Sequence, residues 1–588
     1  MRRPHIRRVA IAVAVTTAVT LPTGPAFAAV PDSPVRAAAS ASSPVDAARA
    51  AAFAHASATG VSQGDTLQAK DVMTDPDGKQ HVRFVRTHLG MPVLGGDLVV
   101  HLGKQSDYLG VTRAADHAVQ PATTEAKLTP QQAEQKAAAV AKGDAGAAEL
   151  VVDARDGAAA LAYQVRVTDS DTAEAGGSRT VVVDARSGRI RSNIPDSDEF
   201  ISPSLGETLR ERGEQLNPET GTSAPPAGLL GATAATTYPV KATGSGTSLF
   251  AGKVTLTTTR TARTSYLLKD PTRWNTETRD ARGQELEAFA RGKKFTDADN
   301  KWGNGATSSR VTAAVDAQYG ITKTLDFYKA TFGRKGIKNN SAGARAMVHF
   351  GNKVGNAFWD STCGCMLYGD GDGDMLKKPL VVLDVTGHEL THGVVDATAA
   401  LEPTRVDQDG NQYGEPGSLN ESLADIFGSA VEFSANNPKN PPNYLVGEKL
   451  GLAQKFLRRL DRPSLDKLEG AVDYWSPEVY DTEVHAGSGV SSHAYYLLAE
   501  GSGRKTIGGV TYDSPTYDGS RVTGIGRAKA TAIFYRALTR YMVSTTDFHD
   551  ARKATLKAAA DMYGASSTEY RTVAKAWVAV NVTAANGQ

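Results

Sequence analysis

His388-Glu389-Leu390-Thr391-His392 is the stretch from which the fold and the chemistry of this chain can be predicted. On a helix, two histidines four residues apart point from one face and can hold one zinc ion, while the glutamate between them faces the water bound to that ion. Residues 380–385, just before the motif, form an apolar run, which is the burial that a metal-bearing central helix needs. The sequence therefore predicts a buried helix with a hydrolytic zinc site.

A second motif, in residues 417–428, carries the third candidate ligand. Glu421 and Asp425 stand four residues apart on a predicted helix whose opposite face is apolar. A third protein ligand on a second helix leaves one zinc position open for water, which is the arrangement of a catalytic site. A metzincin would need a third histidine six residues after His392, where Thr398 stands. We therefore predict that Glu421 is the third ligand.

Both glutamates also have a purely structural interpretation. Thr386 and Glu389 have the spacing of a helix capping box. Ser418 and Glu421 have the same spacing. Capping does not explain the two histidines, so we predict Glu389 as the general base, which takes a proton from the water and later delivers it to the leaving amine.

Together the two motifs resemble the thermolysin family of secreted neutral zinc metallopeptidases, through Gly387-His-Glu-Leu-Thr-His-Gly393 and Leu419-Asn-Glu-Ser-Leu-Ala-Asp-Ile-Phe-Gly428. Three more segments agree with the family in the same order: Asn356-Ala-Phe-Trp359, Leu457-Arg458 and Val484-His485-Ala-Gly-Ser-Gly489. The resemblance runs from about residue 238 to residue 582. It implies one catalytic zinc ion held by His388, His392 and Glu421, and one or more structural calcium ions.

The resemblance implies further roles close to the metal. Asp425 matches the residue that holds the first histidine, and a solvated helix aspartate is the alternative interpretation. His485 matches a donor to the oxyanion of the transition state. Its usual aspartate partner would stand five residues earlier, where this chain has Tyr480, so we expect Asp481 or Glu483 to replace it.

Tyr413 is the second oxyanion donor that the resemblance implies. Residues 402–412 precede it as an insertion that a minimal member of the family lacks. If the insertion ends before Tyr413, the tyrosine keeps nearly the expected distance from Glu421. Otherwise Tyr413 is a loop residue. Of these two interpretations, we expect the catalytic role.

Substrate contacts are also implied by the resemblance. The expected contacts are Asn356 and Ala357 for the substrate main chain, Arg458 for a carbonyl near the scissile bond, and Val385 and Leu457 for the lining of an apolar pocket. A one-residue slip to Arg459 is the alternative. The pocket implies cleavage before bulky hydrophobic residues.

Acidic residues match the calcium sites of the family, since calcium binds oxygen-rich clusters. The expected ligands are Asp384, Glu432 and Glu448 near the active site, and Asp297 and Asp299 in a second loop. Leu445 and Lys449 occupy positions that are often acidic, so we expect one ion at the first site. Lys301 weakens the second site.

Upstream, the chain has the organisation of an exported precursor. Arginines precede an apolar run over residues 9–21, and the segment ends in Ala26-Phe27-Ala28, a pattern cut by signal peptidase. Segments further on resemble a thermolysin-type propeptide and a PepSY-like module. We expect a signal peptide (1–28), a low-complexity linker (29–64), a propeptide domain (65–125), a PepSY-like prodomain (126–195), a cleavable linker (196–237) with maturation near Ala232, a β-rich lobe (238–386) and an α-helical lobe (387–588).

Cys363 and Cys365 are the only cysteines of the chain. In an exported protein we expect a small-ring disulfide between them, with two free thiols as the alternative. The net charge of +1 gives no reason to propose a nucleic-acid partner. After signal removal we expect no membrane association, because the apolar run is too short to span a bilayer.

The sequence thus predicts an α+β protein in which a two-lobed, thermolysin-like catalytic unit follows an α+β prodomain. We expect a secreted monomeric zinc endopeptidase, made as a latent precursor, whose partners are protein and peptide substrates and its own prodomain. The prodomain is expected to assist folding and to block the cleft. Two alternatives remain: a silent binding protein on the same fold, and a peptidase restricted to one dedicated target.

Overall fold

The computed structural model describes residues 43–168, 177–216, 238–286 and 288–584. The expected signal peptide, residues 29–42 of the first expected linker and the expected maturation point near Ala232 lie outside the described residues. Every helix in the described ranges is too short or too polar to span a bilayer. Residues from Pro44 onward form one compact unit.

Helices occur throughout the described chain but the long ones lie in its second half. They are α1 (Pro44–Ala54), α2 (Ala56–Thr59), α3 (Pro130–Ala141), α4 (Pro203–Leu216), α5 (Arg310–Phe332), α6 (Leu383–Asp396), α7 (Glu415–Ala435), α8 (Val484–Gly487), α9 (Gly489–Ala499), α10 (Arg527–Arg536), α11 (Phe548–Tyr563) and α12 (Thr568–Val578). Short 3-10 turns cover Phe289–Arg291, Pro463–Leu465 and Pro477–Asp481, and a π-turn, Ala537–Tyr541, follows α10.

The strands of the N-terminal region, residues 43–216, form one twisted sheet and one further strand. They are β1 (Asp65–Thr74), β2 (Gln80–His88), β3 (Met91–Leu94), β4 (Leu98–Leu102), β5 (Tyr108–Arg113), β6 (Asp144–Ala145), β7 (Glu149–Asp153), β8 (Ala160–Thr168), β9 (Ser178–Asp184), β10 (Ile190–Pro195) and β11 (Ser197–Glu199). The sheet order is β10-β9-β8-β7-β3-β2-β4-β5, and parallel pairing of β3 with β7 joins the two expected propeptide modules into one sheet.

Helix α1 corrects the expectation of a linker over residues 29–64. Ala48 and Ala52 are fully buried and lie one turn apart on one face of α1, where they pack with Leu67 and Phe84 of the sheet. Small side chains four residues apart allow a helix to approach a sheet closely. The alanine-rich composition therefore reflects close packing from Pro44 onward.

Residues 196–216 correct the second expected linker. Instead of a linker, β11 pairs antiparallel with β21 (Ala357–Asp360) of the catalytic region, and α4 follows it. Strand pairing is made by backbone N–H and C=O groups. A polar sequence such as Asp196-Ser-Asp-Glu199 can therefore form a strand without an apolar pattern that would predict it. The described part of this segment is ordered against the catalytic region.

The β-rich lobe contains two sheets beside the long helix α5. Its remaining strands are β12 (Val240–Thr247), β13 (Lys253–Ala262), β14 (Ser265–Leu267), β15 (Lys269–Asp270), β16 (Thr276–Gln284), β17 (Lys293–Lys294), β18 (Thr296–Asp297), β19 (Lys301–Trp302), β20 (Arg345–Phe350) and β22 (Cys365–Tyr368). The sheet with order β11-β21-β22-β20-β16-β15 presents β21 toward the cleft, with β11 on its outer edge.

Helices α6 and α7 cross closely at the base of the helical lobe. A Cβ atom at Gly428 would lie 2.7 Å from the carbonyl oxygen of Asp384, and one at Gly387 would lie 2.9 Å from the Cα of Gly428. Glycine is therefore required at both positions, because it lets two backbones approach. This contact sets the distance between the two motif helices.

Three short hairpins complete the helical lobe. They are β23 (Arg405–Val406) with β24 (Gln412–Tyr413), β25 (Leu445–Val446) with β26 (Arg458–Arg459), and β27 (Gly503–Ile507) with β28 (Val510–Ser514). The first of them contains most of the expected insertion. The predicted α+β class, with a β-rich lobe, a helical lobe and an α+β region before them, is confirmed.

The N-terminal region also contacts the helical lobe far along the chain from β11. Asp75 binds the guanidinium groups of Arg536 and Arg540, and Ser544 donates to Asp97. Fully buried Arg83 donates to the carbonyl of Met542 at 2.7 Å. We call this cluster the remote contact.

Candidate active site

Helices α6 and α7 bring three predicted zinc ligands together. The Nε2 atoms of His388 and His392 lie 3.0 Å apart, and oxygens of Glu421 lie 3.4 Å and 3.6 Å from them. All three side chains are buried. Among the described residues, this group and Glu415 with Asp547 and His549 are the two sets of three such side chains whose ligand atoms lie within 4.8 Å of one another.

Each histidine is oriented through its Nδ1 atom. His388 donates to Asp425 at 2.8 Å, as the resemblance implied. His392 donates to the side-chain oxygen of Asn420 at 3.0 Å. Sequence reasoning missed Asn420, although its place directly before Glu421 on the same helix was a usable signal. Holding both Nδ1 atoms aims both Nε2 atoms at the same point.

Asp425 is itself held by Arg458. The guanidinium of Arg458 donates to both oxygens of Asp425, at 2.8 Å and 3.0 Å, in the forked geometry that arginine offers a carboxylate. Arg459 instead pairs with Asp461, so the alternative of a one-residue slip is wrong. Arg458 also binds Glu469, a buried partner that the sequence did not indicate.

The predicted general base, Glu389, is fully buried, and neither of its carboxylate oxygens has a hydrogen-bond partner. Burial raises the pKa of Glu389 well above its ordinary value. Around it, burial would lower the pKa of His388, but hydrogen bonds to Asp425 and Glu421 raise it to about 9. Because its pKa is raised, the carboxylate of Glu389 is suited to take up a proton, which is the task of a general base.

His485 lies beside the third ligand, with its Nε2 atom 3.5 Å from Glu421. Its Nδ1 atom lies 3.0 Å from a carboxylate oxygen of Glu483, so Glu483 is its acidic partner. The expectation for Asp481 is wrong, because Asp481 is exposed and pairs with Arg405. Burial opposes a charge on His485, but Glu421 and Glu483 raise its pKa well above the ordinary value.

Tyr413 ends the hairpin of β23 and β24, and its hydroxyl donates to Asp407 within that hairpin at 2.8 Å. Burial and Asp407 raise the pKa of Tyr413 to about 12, so the phenol is neutral and can donate. The tyrosine lines a cavity of about 390 Å³ together with Glu469 and Glu483. The structure therefore places Tyr413 near the partner of His485 and bound to the insertion.

A segment of the N-terminal region lies in the cleft between the lobes. We call residues 197–201 the cleft segment. It pairs antiparallel with β21 from Ser197 to Glu199, and the backbone N–H of Phe200 donates to the carbonyl of Ala357 at 3.0 Å. The side chain of Asn356 both accepts from the N–H of Ile201 and donates to its carbonyl, at 3.0 Å and 3.1 Å. Asn356 and Ala357 thus bind a main chain.

Phe200 is fully buried and lies near Leu457, one of the two residues expected to line an apolar pocket. Its ring meets the ring of His388 edge-on, with centroids 5.1 Å apart. Val385 and Leu457 belong to the same buried apolar cluster. A Cβ atom at Gly447 would lie 3.3 Å from Leu457 and 3.5 Å from the tip of Phe200, so Gly447 also borders this pocket.

Of the three expected calcium ligands of the first site, Asp384 and Glu432 are buried and Glu448 is half-buried. Asp384, Glu432 and Glu448 each have one carboxylate oxygen without a hydrogen-bond partner. Burial and the neighbouring carboxylates raise the pKa values of all three, that of Glu448 to about 8. Three largely desolvated acids that oppose one another's charge are a set of groups that a cation would stabilise.

The second expected calcium loop and the cysteines lie in the β-rich lobe. Asp297 accepts from the backbone of Asp299, and Asp299 pairs with Lys301 at 3.2 Å, so the lysine occupies the acidic loop. Cys363, in the loop after β21, forms a disulfide with Cys365, the first residue of β22. In that loop, Thr362 accepts from Arg166 of the N-terminal region at 2.7 Å.

The sequence matches four families over the described regions. It matches the catalytic domain of the thermolysin metallopeptidases over residues 243–396 and their alpha-helical domain over residues 411–582. Before them it matches the fungalysin/thermolysin propeptide motif over residues 65–115 and the peptidase propeptide and YPEB (PepSY) domain over residues 127–193. Both expected propeptide modules are thereby identified.

Relatives with known names match most of this chain. It is 38% identical over 532 residues to a transglutaminase-activating metalloprotease of Streptomyces mobaraensis. The aligned region covers 89% of this chain and 62% of that protein. It is 32% identical over 544 residues to the thermostable neutral protease NprT of Geobacillus stearothermophilus, covering 88% of this chain and 86% of that protein.

Among solved structures, the precursor of protealysin, a metalloproteinase of Serratia proteamaculans, matches with a TM-score of 0.39 and 26% identity, over 52% of this chain and 87% of that chain. The four family matches span the propeptide and both catalytic lobes, in the same order as the predicted segments. The chain therefore belongs to the thermolysin family of metallopeptidases and carries the propeptide domains of that family.

Proposed function

We propose that the protein is a secreted zinc endopeptidase, made as a latent precursor, that cuts peptide bonds before bulky hydrophobic residues. The observation that carries the proposal is the cleft segment. Its main chain is bound by Asn356 and Ala357 and contacted by His485, and the buried side chain of Phe200 lies beside His388. The basic and apolar N-terminal segment of the sequence and the disulfide support export.

The side chains present fit a zinc ion. His388 and His392 face each other through Nε2 atoms whose Nδ1 sides are already hydrogen-bonded, and Glu421 has a buried oxygen without a hydrogen-bond partner. Two imidazole nitrogens and one carboxylate are the ligand set of a catalytic zinc site. When bound, the ion supplies a Lewis acid that polarises the substrate carbonyl and makes a water more acidic.

Peptide hydrolysis then follows from the positions of the chain's own groups. Glu389 takes a proton from the attacking water and delivers it to the leaving nitrogen, because its carboxylate is buried and unpaired. His485, held by Glu483, donates to the carbonyl oxygen where negative charge develops. Arg458 holds the next carbonyl along the substrate, as it holds that of Phe200 at 2.9 Å.

We also propose one calcium ion at Asp384, Glu432 and Glu448, since a divalent cation would neutralise three buried carboxylates. Asp297 and Asp299 remain a weaker candidate because Lys301 pairs with Asp299. In latency, the propeptide acts as an intramolecular inhibitor, and the observation in support is the main chain in the cleft.

A peptidase restricted to one dedicated target is the second candidate. It is favoured by the hairpin of Arg405–Val406 and Gln412–Tyr413, which borders the cavity beside the cleft. The relative in Streptomyces mobaraensis is named for activating a transglutaminase. A narrow target range is expected if the hairpin limits which chains reach the cleft.

A cleavage map by mass spectrometry tests the proposal. A denatured protein is digested by the mature wild type and by Glu389→Ala at matched zinc content. Cuts before Leu, Phe, Ile or Val by the wild type alone support the proposal. Zinc binding without any cut contradicts it and favours a silent binding protein, while cuts in only one natural substrate favour the dedicated peptidase.

A further inference from the structure

We infer that the Glu199–Phe200 peptide bond of the propeptide is the first bond that the enzyme cuts, within its own molecule. The inference rests on the proposed endopeptidase function and adds the identity of the first substrate. It differs from the maturation point expected near Ala232, which lies outside the described residues. The register of the cleft segment against the site carries the inference.

The backbone groups that follow this bond are held by the groups that the site offers a substrate. The N–H of Phe200 donates to the carbonyl of Ala357 at 3.0 Å, and the carbonyl of Phe200 accepts from Arg458 at 2.9 Å. The next residue, Ile201, is bound at both its N–H and its carbonyl by the Asn356 side chain. The chain therefore lies extended in a fixed register, so one particular bond is placed at the catalytic groups.

The carbonyl of that bond meets the oxyanion donor. The Nε2 atom of His485 donates to the carbonyl oxygen of Glu199 at 2.6 Å, and the same Nε2 atom lies 3.5 Å from Glu421. His485 thus contacts the carbonyl of Glu199 and a zinc ligand at once. This places the carbonyl carbon of Glu199 where water would attack.

The side chains agree with the same register. Phe200, directly after the bond, is fully buried in the apolar pocket, with its ring beside His388. A shift of one residue toward the N-terminus would put the carboxylate of Glu199 in that pocket, which costs the desolvation of a charge. Glu199 instead accepts from Asn356 at 3.0 Å. The observed register, unlike that shift, puts a bulky apolar residue in the pocket.

The reaction is an ordinary hydrolysis. The oxygen of one water forms a bond to the carbonyl carbon of Glu199, and the bond from that carbon to the nitrogen of Phe200 breaks. Glu389 takes a proton from the water and passes it to that nitrogen. The products are a carboxylate at Glu199 and an amino terminus at Phe200, and cuts further along the chain follow.

A time course on the full-length chain tests this order. The precursor is folded with calcium and a zinc chelator, hydrolysis is started with zinc, and fragments are weighed by intact-mass spectrometry. The first two fragments are expected to be one that ends at Glu199 and one that begins at Phe200. The rate constant of this cut should not change when the protein is diluted roughly 30-fold. A first cut elsewhere overturns the inference, as does a cleft segment that stays uncut while maturation proceeds. A rate constant proportional to concentration overturns the cut within one molecule.

Two variants sharpen the test. Phe200→Asp is expected to slow the cut at this bond at least about 100-fold, because a charge must enter the apolar pocket. Phe200→Leu keeps a bulky apolar side chain and should stay within a few-fold of the wild type. Equal rates for both variants contradict the inference. Should Phe200→Asp not fold, the wild-type time course and Phe200→Leu still decide the question.

An added peptide separates this inference from the proposed function. The same preparations are given a short peptide that contains Glu-Phe-Ile. If the peptide is cut before Phe but the chain is first cut elsewhere, the inference fails and the proposed function stands. If neither is cut, the proposed function fails as well.

Discussion

Two of the places at which the propeptide contacts the catalytic unit are built from different chemistry. In the cleft, the contacts are mostly backbone hydrogen bonds around the buried ring of Phe200. At the remote contact, charged side chains dominate, above all Asp75 with Arg536 and Arg540. The first contact resembles a substrate and the second resembles a protein interface.

The difference teaches how one segment can be both bound and consumed. Backbone contacts accept almost any sequence, so the cleft segment needs only one apolar side chain in register to be held beside the catalytic groups. The remote contact depends on particular charged side chains, and a cut at Glu199–Phe200 leaves their ion pairs intact. We therefore expect catalytic substitutions to act on the first contact alone and interface substitutions on the second alone.

The largest expected effect concerns the oxyanion donor of the cleft. His485→Ala removes the donor to the carbonyl of Glu199 and should lower kcat about 100- to 1,000-fold. Steady-state kinetics on a peptide substrate measures it, with zinc content checked for each preparation. An unchanged kcat would contradict the assigned role. The remote contact should be unaffected, since His485 lies in the cleft.

A smaller effect is expected for the partner of His485, and it separates two neighbouring acids. Glu483→Gln weakens the hold on the Nδ1 atom and should lower activity about 10- to 100-fold. Asp481→Asn is the matched control, because Asp481 is exposed and pairs with the exposed Arg405 of the hairpin, and this change should alter kcat less than twofold. The reverse ranking would restore Asp481 as the partner.

At the remote contact, Arg536→Ala is expected to destabilise the precursor by about 1–3 kcal/mol, because a buried aspartate loses a charged hydrogen-bond partner. Urea unfolding of the uncut Glu389→Ala precursor, with and without Arg536→Ala, measures the free energy of unfolding. The peptidase activity of mature enzyme without its propeptide should stay the same. A lower activity with unchanged stability would break the division between the two contacts.

The smallest expected effect is a pH dependence of the remote contact. Burial alone would raise the pKa of Asp75, but His81 and Arg536 lower it well below the ordinary value of 3.8. The stability that Asp75 contributes is therefore present above pH 3.8 and is lost as the pH falls through the lowered pKa. Unfolding of the Glu389→Ala precursor between pH 5 and pH 2.5 should lose less stability when Asp75→Asn is added. Parallel curves would contradict this.

The candidate zinc site could be predicted because the information for it is local. The spacing of His388 and His392 fixes one helix face, and the spacing of Glu421 and Asp425 fixes another, so the residues and their chemistry could be read from two short motifs. The choice between Asp481 and Glu483 could not be made in this way. It depends on how the turn before α8 points each carboxylate, and the structure turns Glu483 inward and Asp481 toward Arg405.

The cleft segment was missed for a different reason. Its composition resembles a linker, and strand pairing with β21 uses backbone groups that every sequence carries. Helix α1 was missed because alanine-rich composition was interpreted as low complexity, although Ala48 and Ala52 share one face. In both cases the surface against which the segment packs lies elsewhere in the chain, so the segment alone could not show which surface it contacts.

The sequence by itself determined the family, the order of its segments, the three zinc ligands as candidates and the base between the histidines, because these depend on residue types at short spacings. Only the tertiary structure decided that Asn420 orients His392, that Glu483 holds His485 and that Glu199 and Phe200 lie in the catalytic register. The contacts of Asn420 and of Glu199 join residues far apart in the chain, and their geometry is set by the packing of α6 against α7 and of β11 against β21. Glu483 and His485 are near neighbours, but the turn before α8 decides which carboxylate faces the imidazole.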